Sequence, residues 1–400
     1  MTSRYFRLSI IAILCFLSFS CSKKEKYAQN RAREKSTDTM ACVFPCSLKL
    51  PKLSVSYVNE KQAMVERFAN KLWNKNDNVS FLVARNGQII YEKYAGYADN
   101  KKNFITAHTP MHIASVSKML TAAAIMQLVN RDKLDLDQKV NTILKTFPYP
   151  DITIRMLLNH RSGLRNYAYF TADPGVWDTK QTITNEDILR LLGEKNIALA
   201  TPAGTHFAYC NTNYAMLALV IERITGLKYG EAMQRMIFKP LGMTDTYVFD
   251  LEKDKETASQ TFKGNGLHLA YDFLDAVYGD KNIYSTPRDL MKFDMATYDP
   301  NFLDKDLFKQ VYKGYSYESK GTKNYGLGIR MIEWETGQHF YFHNGWWHGN
   351  TSSYVTLRNE KVTIIALSNK MTKKTYLVRK LAPGFGDYPF KKDKDEEKLE

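Results

Sequence analysis

Cysteine is scarce in this 400-residue sequence, with five in all, and no spacing among them is that of a zinc ribbon. Cys15 falls in an N-terminal leader and Cys21 directly after it, where it reads as a lipidation site, which leaves Cys42, Cys46 and Cys210. Three thiols cannot all pair, so a dense disulfide framework is excluded. Cys42 and Cys46 are spaced to close a small loop in an oxidising compartment, and Cys210 reads as a buried free thiol. Histidine offers no metal motif, because Phe340 follows His339 where a zinc hydrolase with His343 four residues on needs glutamate. The apolar stretch Leu8 to Phe19 has twelve residues, too few to cross a bilayer as a helix. There is no G-x-S-x-G, which argues against an α/β-hydrolase elbow, and no internal repeat.

What the chain does have is core-forming material. Apolar residues make up 44% and aromatic residues 13%, which excludes disorder as the main state and supports one large domain or two small ones. Lysine and arginine outnumber acidic residues 56 to 42, a net charge of +14. This excess is spread along the chain with no zinc-finger, helix-turn-helix or RNP spacing, so no nucleic-acid partner is expected. It favours anionic envelope surfaces or forms a solvated face.

Arg4 and Arg7 ahead of Leu8–Phe19 give residues 1–20 the pattern of a secretory signal. Ser18-Phe19-Ser20-Cys21 followed by Ser22-Lys23-Lys24 resembles a loose bacterial lipobox. An acylated Cys21 would anchor the protein to a membrane without spanning it, and a secreted, unlipidated form is the alternative. The expected localisation is therefore exported, in a bacterial periplasm or at the cell surface. Residues 21–55 read as a polar tether, 56–388 as the folded domain and 389–400 as a charged tail.

Residues 60–74 place Ala63, Phe68, Ala69 and Leu72 near one helical face, and Val79 to Ala95 reads as a hairpin turning at Asn86-Gly87. Strands are expected at 326–335, 338–343, 352–358 and 362–368, with a helix from Thr372. The two ends of the chain are expected to share one sheet. Between them, about 110–310, the period is mostly helical, at 118–130, 152–159, 185–192, 213–225, 229–237 and 289–298. The expected fold is α+β: an antiparallel sheet flanked by N- and C-terminal helices, with a mostly helical insertion.

Three short motifs carry chemistry. In Ser115-Val116-Ser117-Lys118 the i, i+3 spacing puts Lys118 within reach of Ser115 and turns Ser117 away. A serine hydroxyl needs an adjacent base, and a desolvated lysine can be one. By itself the spacing is weak, since Ser20 and Lys23 repeat it. Tyr209-Cys210-Asn211 precedes a helix; such a tyrosine relays protons, and Asn211 is expected to orient the lysine and bond a substrate carbonyl. His343-Asn344-Gly345-Trp346 ends a strand, where the glycine is expected to let a substrate approach and the next amide to face an oxyanion. Trp346 and Trp347 together read as an aromatic wall or as buried packing. His160 in NHRSGL and Asp289 in STPRDL are expected to shape a loop and a helix start.

With these motifs in this order, the chain resembles the serine β-lactamase-related family, the penicillin-recognising fold of class C β-lactamases, D-Ala-D-Ala peptidases and many esterases. The likeness runs from about 78 to 370 and includes HIASVSKMLTAAAIMQLV, FAYCNTNYAMLALVIERITG, GDKNIYSTPRDLMKFD, YGLGIRM and HNGWWHGN. The resemblance implies that Ser115 is acylated, that Lys118 and Tyr209 share the base and acid roles, and that Asn211 assists. It implies an oxyanion hole from the N–H groups of Ser115 and Trp346, with His343, Asn344 and Gly345 as the third motif. It also implies no metal and no organic cofactor. Penicillin-interactive members usually carry K-T-G or K-S-G at the third motif, whereas H-N-G offers less charge for a substrate carboxylate. The expected function is hydrolysis of a small-molecule or peptide ester or amide. A β-lactamase or D,D-peptidase is the first alternative and a non-catalytic binding or sensory lipoprotein the second. The oligomeric state is left open.

Overall fold

The computed structural model describes residues 48–390. The expected signal segment, Cys21, Cys42, Cys46 and residues 391–400 lie outside the described residues. Among those described, no helix is long and apolar enough to cross a membrane.

Helix α1 (Val55–Leu72) starts where Ser54 accepts a hydrogen bond from the Tyr57 N–H and buries Val65 and Ala69, one turn apart on one face. The hairpin β1 (Val79–Arg85) and β2 (Gln88–Ala95) follows, turning at Asn86 and Gly87, both at positive φ. At the other end come β6 (Lys323–Tyr325), β7 (Arg330–Glu333), β8 (His339–Trp347), β9 (Asn350–Leu357) and β10 (Val362–Ser368). These form one seven-stranded antiparallel sheet in the order β2-β1-β10-β9-β8-β7-β6. β1 pairs with β10 from Ser80↔Leu367 to Arg85↔Val362, so the two ends of the chain do share a sheet.

Two local expectations are corrected. The strand expected at 326–335 is the hairpin of β6 and β7, since Gly328 takes φ +92° and reverses the chain. The C-terminal helix is a 3₁₀ segment, Lys374–Gly384, with Pro383 inside it. Phe390 packs against Phe340 and Trp334 at ring separations of 4.9 and 5.2 Å.

The intervening segment is mostly helical but carries its own three-stranded sheet, in the order β3 (Met111–His112), β5 (Ile283–Ser285), β4 (Tyr247–Val248). Its centre is α2 (Ser117–Val129), where eleven residues are buried, so the helix is enclosed on all sides. The helix Asn211–Thr225 is buried in the same way and ends at Gly226, φ +69°. The residues expected at 229–237 split into a helix, Tyr229–Met233, and a π turn, Gln234–Phe238.

Candidate active site

The nucleophile turn is a short 3₁₀ stretch, Ala114–Val116, between β3 and α2. Ala114 has φ +48°, a conformation that a side chain disfavours. It is held by its N–H, which donates to His112 Nδ1 at 3.1 Å. His112 Nδ1 is therefore the acceptor, and Nε2–H donates to Asn282 Oδ1 at 3.0 Å. Burial pushes His112 down to about 4, which fits this neutral tautomer.

Ser115 emerges from this turn half-buried, and Lys118, fully buried on the first turn of α2, donates to Ser115 Oγ at 3.0 Å. The second acceptor of Lys118 Nζ is the main-chain carbonyl of Asp280, at 2.8 Å. Ser117 points elsewhere, its Oγ accepting from the Ile283 N–H at 3.3 Å. The Tyr209 ring centre lies 5.1 Å from Lys118 Nζ, and the Tyr209 hydroxyl is buried with no hydrogen-bond partner. Asn211 Oδ1 is likewise unpartnered, so the expectation that Asn211 orients the lysine gives way to Asp280.

His160 lies under Tyr209, with ring centres 4.3 Å apart. Its Nδ1 accepts from the Cys210 N–H and from Asn213 Nδ2, both at 3.1 Å. It thereby pins the Tyr209-Cys210-Asn211 segment, a part that goes beyond loop shaping. Burial first, then the cations Lys118 and Arg330, drive His160 well below the ordinary histidine value.

The third motif lies on β8. His343 is fully buried; Nδ1–H donates to the Asn344 carbonyl at 2.8 Å and Nε2 accepts from Tyr325 at 3.0 Å. Burial, with Arg330 and Lys118, holds it neutral. It supports the site from below and does not line it. Gly345 has a different reason from the one expected: a Cβ there would lie 2.6 Å from the Ile113 carbonyl and 2.9 Å from Ala114 Cβ. The missing side chain lets β8 pack on the nucleophile turn. Asn344 Oδ1 accepts from Ser353 Oγ at 2.9 Å. The two tryptophans part company, Trp346 being 58% exposed while Trp347 Nε1 donates to Asp275 at 2.6 Å. Cys210 is buried, and burial pushes its thiol up. Asp289 accepts from the Asp245 N–H at 2.8 Å and begins a helix whose N-cap is Thr286.

Two features near the site lie in the family-like stretches YGLGIRM and GDKNIYSTPRDLMKFD but were not singled out as site residues. Arg330 lies 4.6 Å from the Tyr209 ring centre and 6.0 Å from that of Tyr325, with no carboxylate partner among the described residues. Asp280 and Lys281 form the wall behind Lys118. One trio among the described residues has metal-ligand chemistry, Asp272, Asp275 and His348. The Asp275 oxygens are taken by Trp347, His348 and the Asp272 N–H, which makes the trio an ion pair inside a hydrogen-bond network.

Residues 65–382 match the family model described as Beta-lactamase. The chain belongs to the β-lactamase family. It is 29% identical over 313 residues to penicillin-binding protein 4* of Bacillus subtilis, covering 73% of this chain and 68% of that protein. It is also 29% identical over 307 residues to a D-aminopeptidase of Brucella anthropi, covering 72% of this chain but 55% of the relative, about half its length. Among solved structures, a penicillin-binding protein from Bacillus halodurans superposes with TM-score 0.68 at 21% identity, over 84% of this chain and all of that one. A D-amino acid amidase from Ochrobactrum anthropi superposes with TM-score 0.61 at 23% identity, over 78% of this chain and 91% of the other. These β-lactamase-family relatives make the protein a serine hydrolase, and the solved structures share its fold.

Proposed function

We propose that this serine hydrolase is exported and cleaves an ester or amide through an acyl-enzyme on Ser115. The observation that carries the reading is the 3.0 Å separation of Ser115 Oγ and Lys118 Nζ, with the lysine fixed from behind by the Asp280 carbonyl. With the lysine as free amine, Ser115 Oγ attacks the substrate carbonyl carbon and its proton passes to Lys118. The N–H groups of Ser115 and Trp346 hold the oxyanion. Collapse breaks the bond to the leaving group, which takes the proton through Tyr209. Water then adds to the acyl carbon by the same route and frees Ser115. Export rests on the arginines and apolar run of the leader, and anchoring on Cys21.

A second reading, a penicillin-interactive β-lactamase or D,D-peptidase, is favoured by Arg330. His343 is neutral, so the third motif supplies no cation; the Arg330 guanidinium beside Tyr209, without a carboxylate partner among the described residues, supplies one for a substrate carboxylate.

Intact-mass analysis after a fluorophosphonate, a short p-nitrophenyl ester and a penicillin, with ester and β-lactam turnover in parallel, tests both. A phosphonate adduct and ester turnover that vanish in Ser115→Ala support the acyl-enzyme. Serine-dependent penicillin acylation moves the substrate to the second reading. A folded protein that takes no adduct ends the Ser115 assignment.

A further inference from the structure

A second buried lysine lies beside the first. Lys281 is 2% exposed; its ammonium donates to the Tyr167 hydroxyl at 2.6 Å and the Val277 carbonyl at 3.3 Å. It stands 3.8 Å from Asp280 Oδ1 and 4.6 Å from the Trp347 ring centre. The Tyr167 hydroxyl donates in turn to Asp280 Oδ2 at 2.9 Å. Asp280 Oδ1 is buried with no hydrogen-bond partner, which leaves Lys281 as the cation that balances it. Asp280 thus presents its carbonyl to Lys118 and its carboxylate to Tyr167 and Lys281. A buried ion pair is a weak source of stability, so its place directly behind the base calls for another reason.

We propose that Lys281 is a positioning residue for the Ser115 reaction: through Tyr167 it holds Asp280 so that the carbonyl stays on Lys118, and it sets a positive charge behind that lysine. This rests on the reading of Lys118 as the base. The other groups that face Lys118 are the neutral His160 and His343, the Tyr209 and Tyr214 rings and the Cys210 thiol, with Arg330 acting on the same two histidines. On its far side Lys281 faces Asp275, Asp272, His348 and His112. Burial pushes the Lys281 ammonium below the ordinary lysine value, Asp280 and Asp275 push it up, and Lys118 pushes it down again. The two lysines therefore place like charges on either side of Asp280, and Lys118 disfavours the charged form of Lys281.

The test is the rate at which a fluorophosphonate labels Ser115 in the full chain, followed by intact mass across roughly pH 5 to 10. Labelling rises with pH as the base loses its proton. Lys281→Met removes a positive charge and moves the midpoint up by about one pH unit, while Asp280→Asn removes a negative charge and moves it down by about as much. The double variant returns to within about half a unit of the parent. A purely structural pair would lower the rates without displacing the midpoints in opposite directions, and that result, or midpoints equal to the parent's, overturns the inference. If Lys281→Met does not fold, Asp280→Asn and the charge-neutral double variant decide the matter by the same displacements. Failure of the parent itself to label at any pH removes the acyl-enzyme reading and the inference with it. Normal parent labelling with unmoved variants removes the inference alone.

Discussion

The two faces of the seven-stranded sheet bury different chemistry. On the outer face, α1 and the C-terminal 3₁₀ segment, with its Leu381, close over Phe81, Phe340, Val355 and Ile364, an apolar cluster. Across the inner face lie Lys118, Asp280, Lys281, His112, His160 and His343, all buried. The outer layer gives stability through burial that does not depend on pH. The inner layer holds ionisable groups at a desolvation cost that the outer one offsets, and it gains cations and acceptors whose strength water would dilute. Substitutions on the two faces should therefore fail in different ways.

Gly345→Ala strikes the seam where β8 meets the nucleophile turn. A displaced Ser115 is expected to cost about 100-fold in ester turnover, more than the loss of thermal stability accounts for; normal turnover in the variant would separate the turn from β8. Phe340→Ala on the outer face is expected to cost about 3–5 kcal/mol of stability. Denaturant unfolding measures that loss, and the pH midpoint of Ser115 labelling should stay where it was. A midpoint that moved would break the division between the faces. Arg330→Met should lower acylation by a penicillin about tenfold more than acylation by a neutral ester, and equal losses would remove Arg330 as a carboxylate contact.

The smallest effect concerns acid stability. His112, His160 and His343 titrate below the unfolded histidine value because they are buried neutral. In the window from about 6.5 down to those lowered values the unfolded chain binds more protons, so stability is complete above about pH 6.5 and falls as the pH falls. His348 opposes this: burial lowers it, but Asp275 and Asp272 raise it overall, so its contribution is present in acid and lost as the pH rises. With three groups against one, melting temperature should drop on acidification below about pH 6.5, and His343→Gln should flatten that slope. An unchanged slope would mean that His343 is charged in the folded protein.

The N-terminal hairpin was legible because alternation and an Asn-Gly turn are local signals, and the C-terminal strands by their alternation; both ends lie in one antiparallel sheet. The β6–β7 hairpin was not, since its first strand has three residues, too few to show a period. Of the site, the Ser115–Lys118 pair was legible by helical spacing. How Gly345 and His343 pack was not legible, because whether a strand residue faces solvent or protein depends on what packs over it, and no spacing encodes that.

What the sequence determined by itself is the set of contacts that one helical turn or one strand pairing can close: Lys118 beside Ser115, Ser117 turned away, Gly226 ending its helix. Tertiary structure decided what surrounds them. The carbonyl that holds Lys118 comes from 162 residues away, and His160 reaches Cys210 across 50. The helical period fixes neighbours three and four residues apart regardless of context. A contact over such separations exists because the helical segment docks on the sheet, and that docking depends on the summed packing of the whole chain.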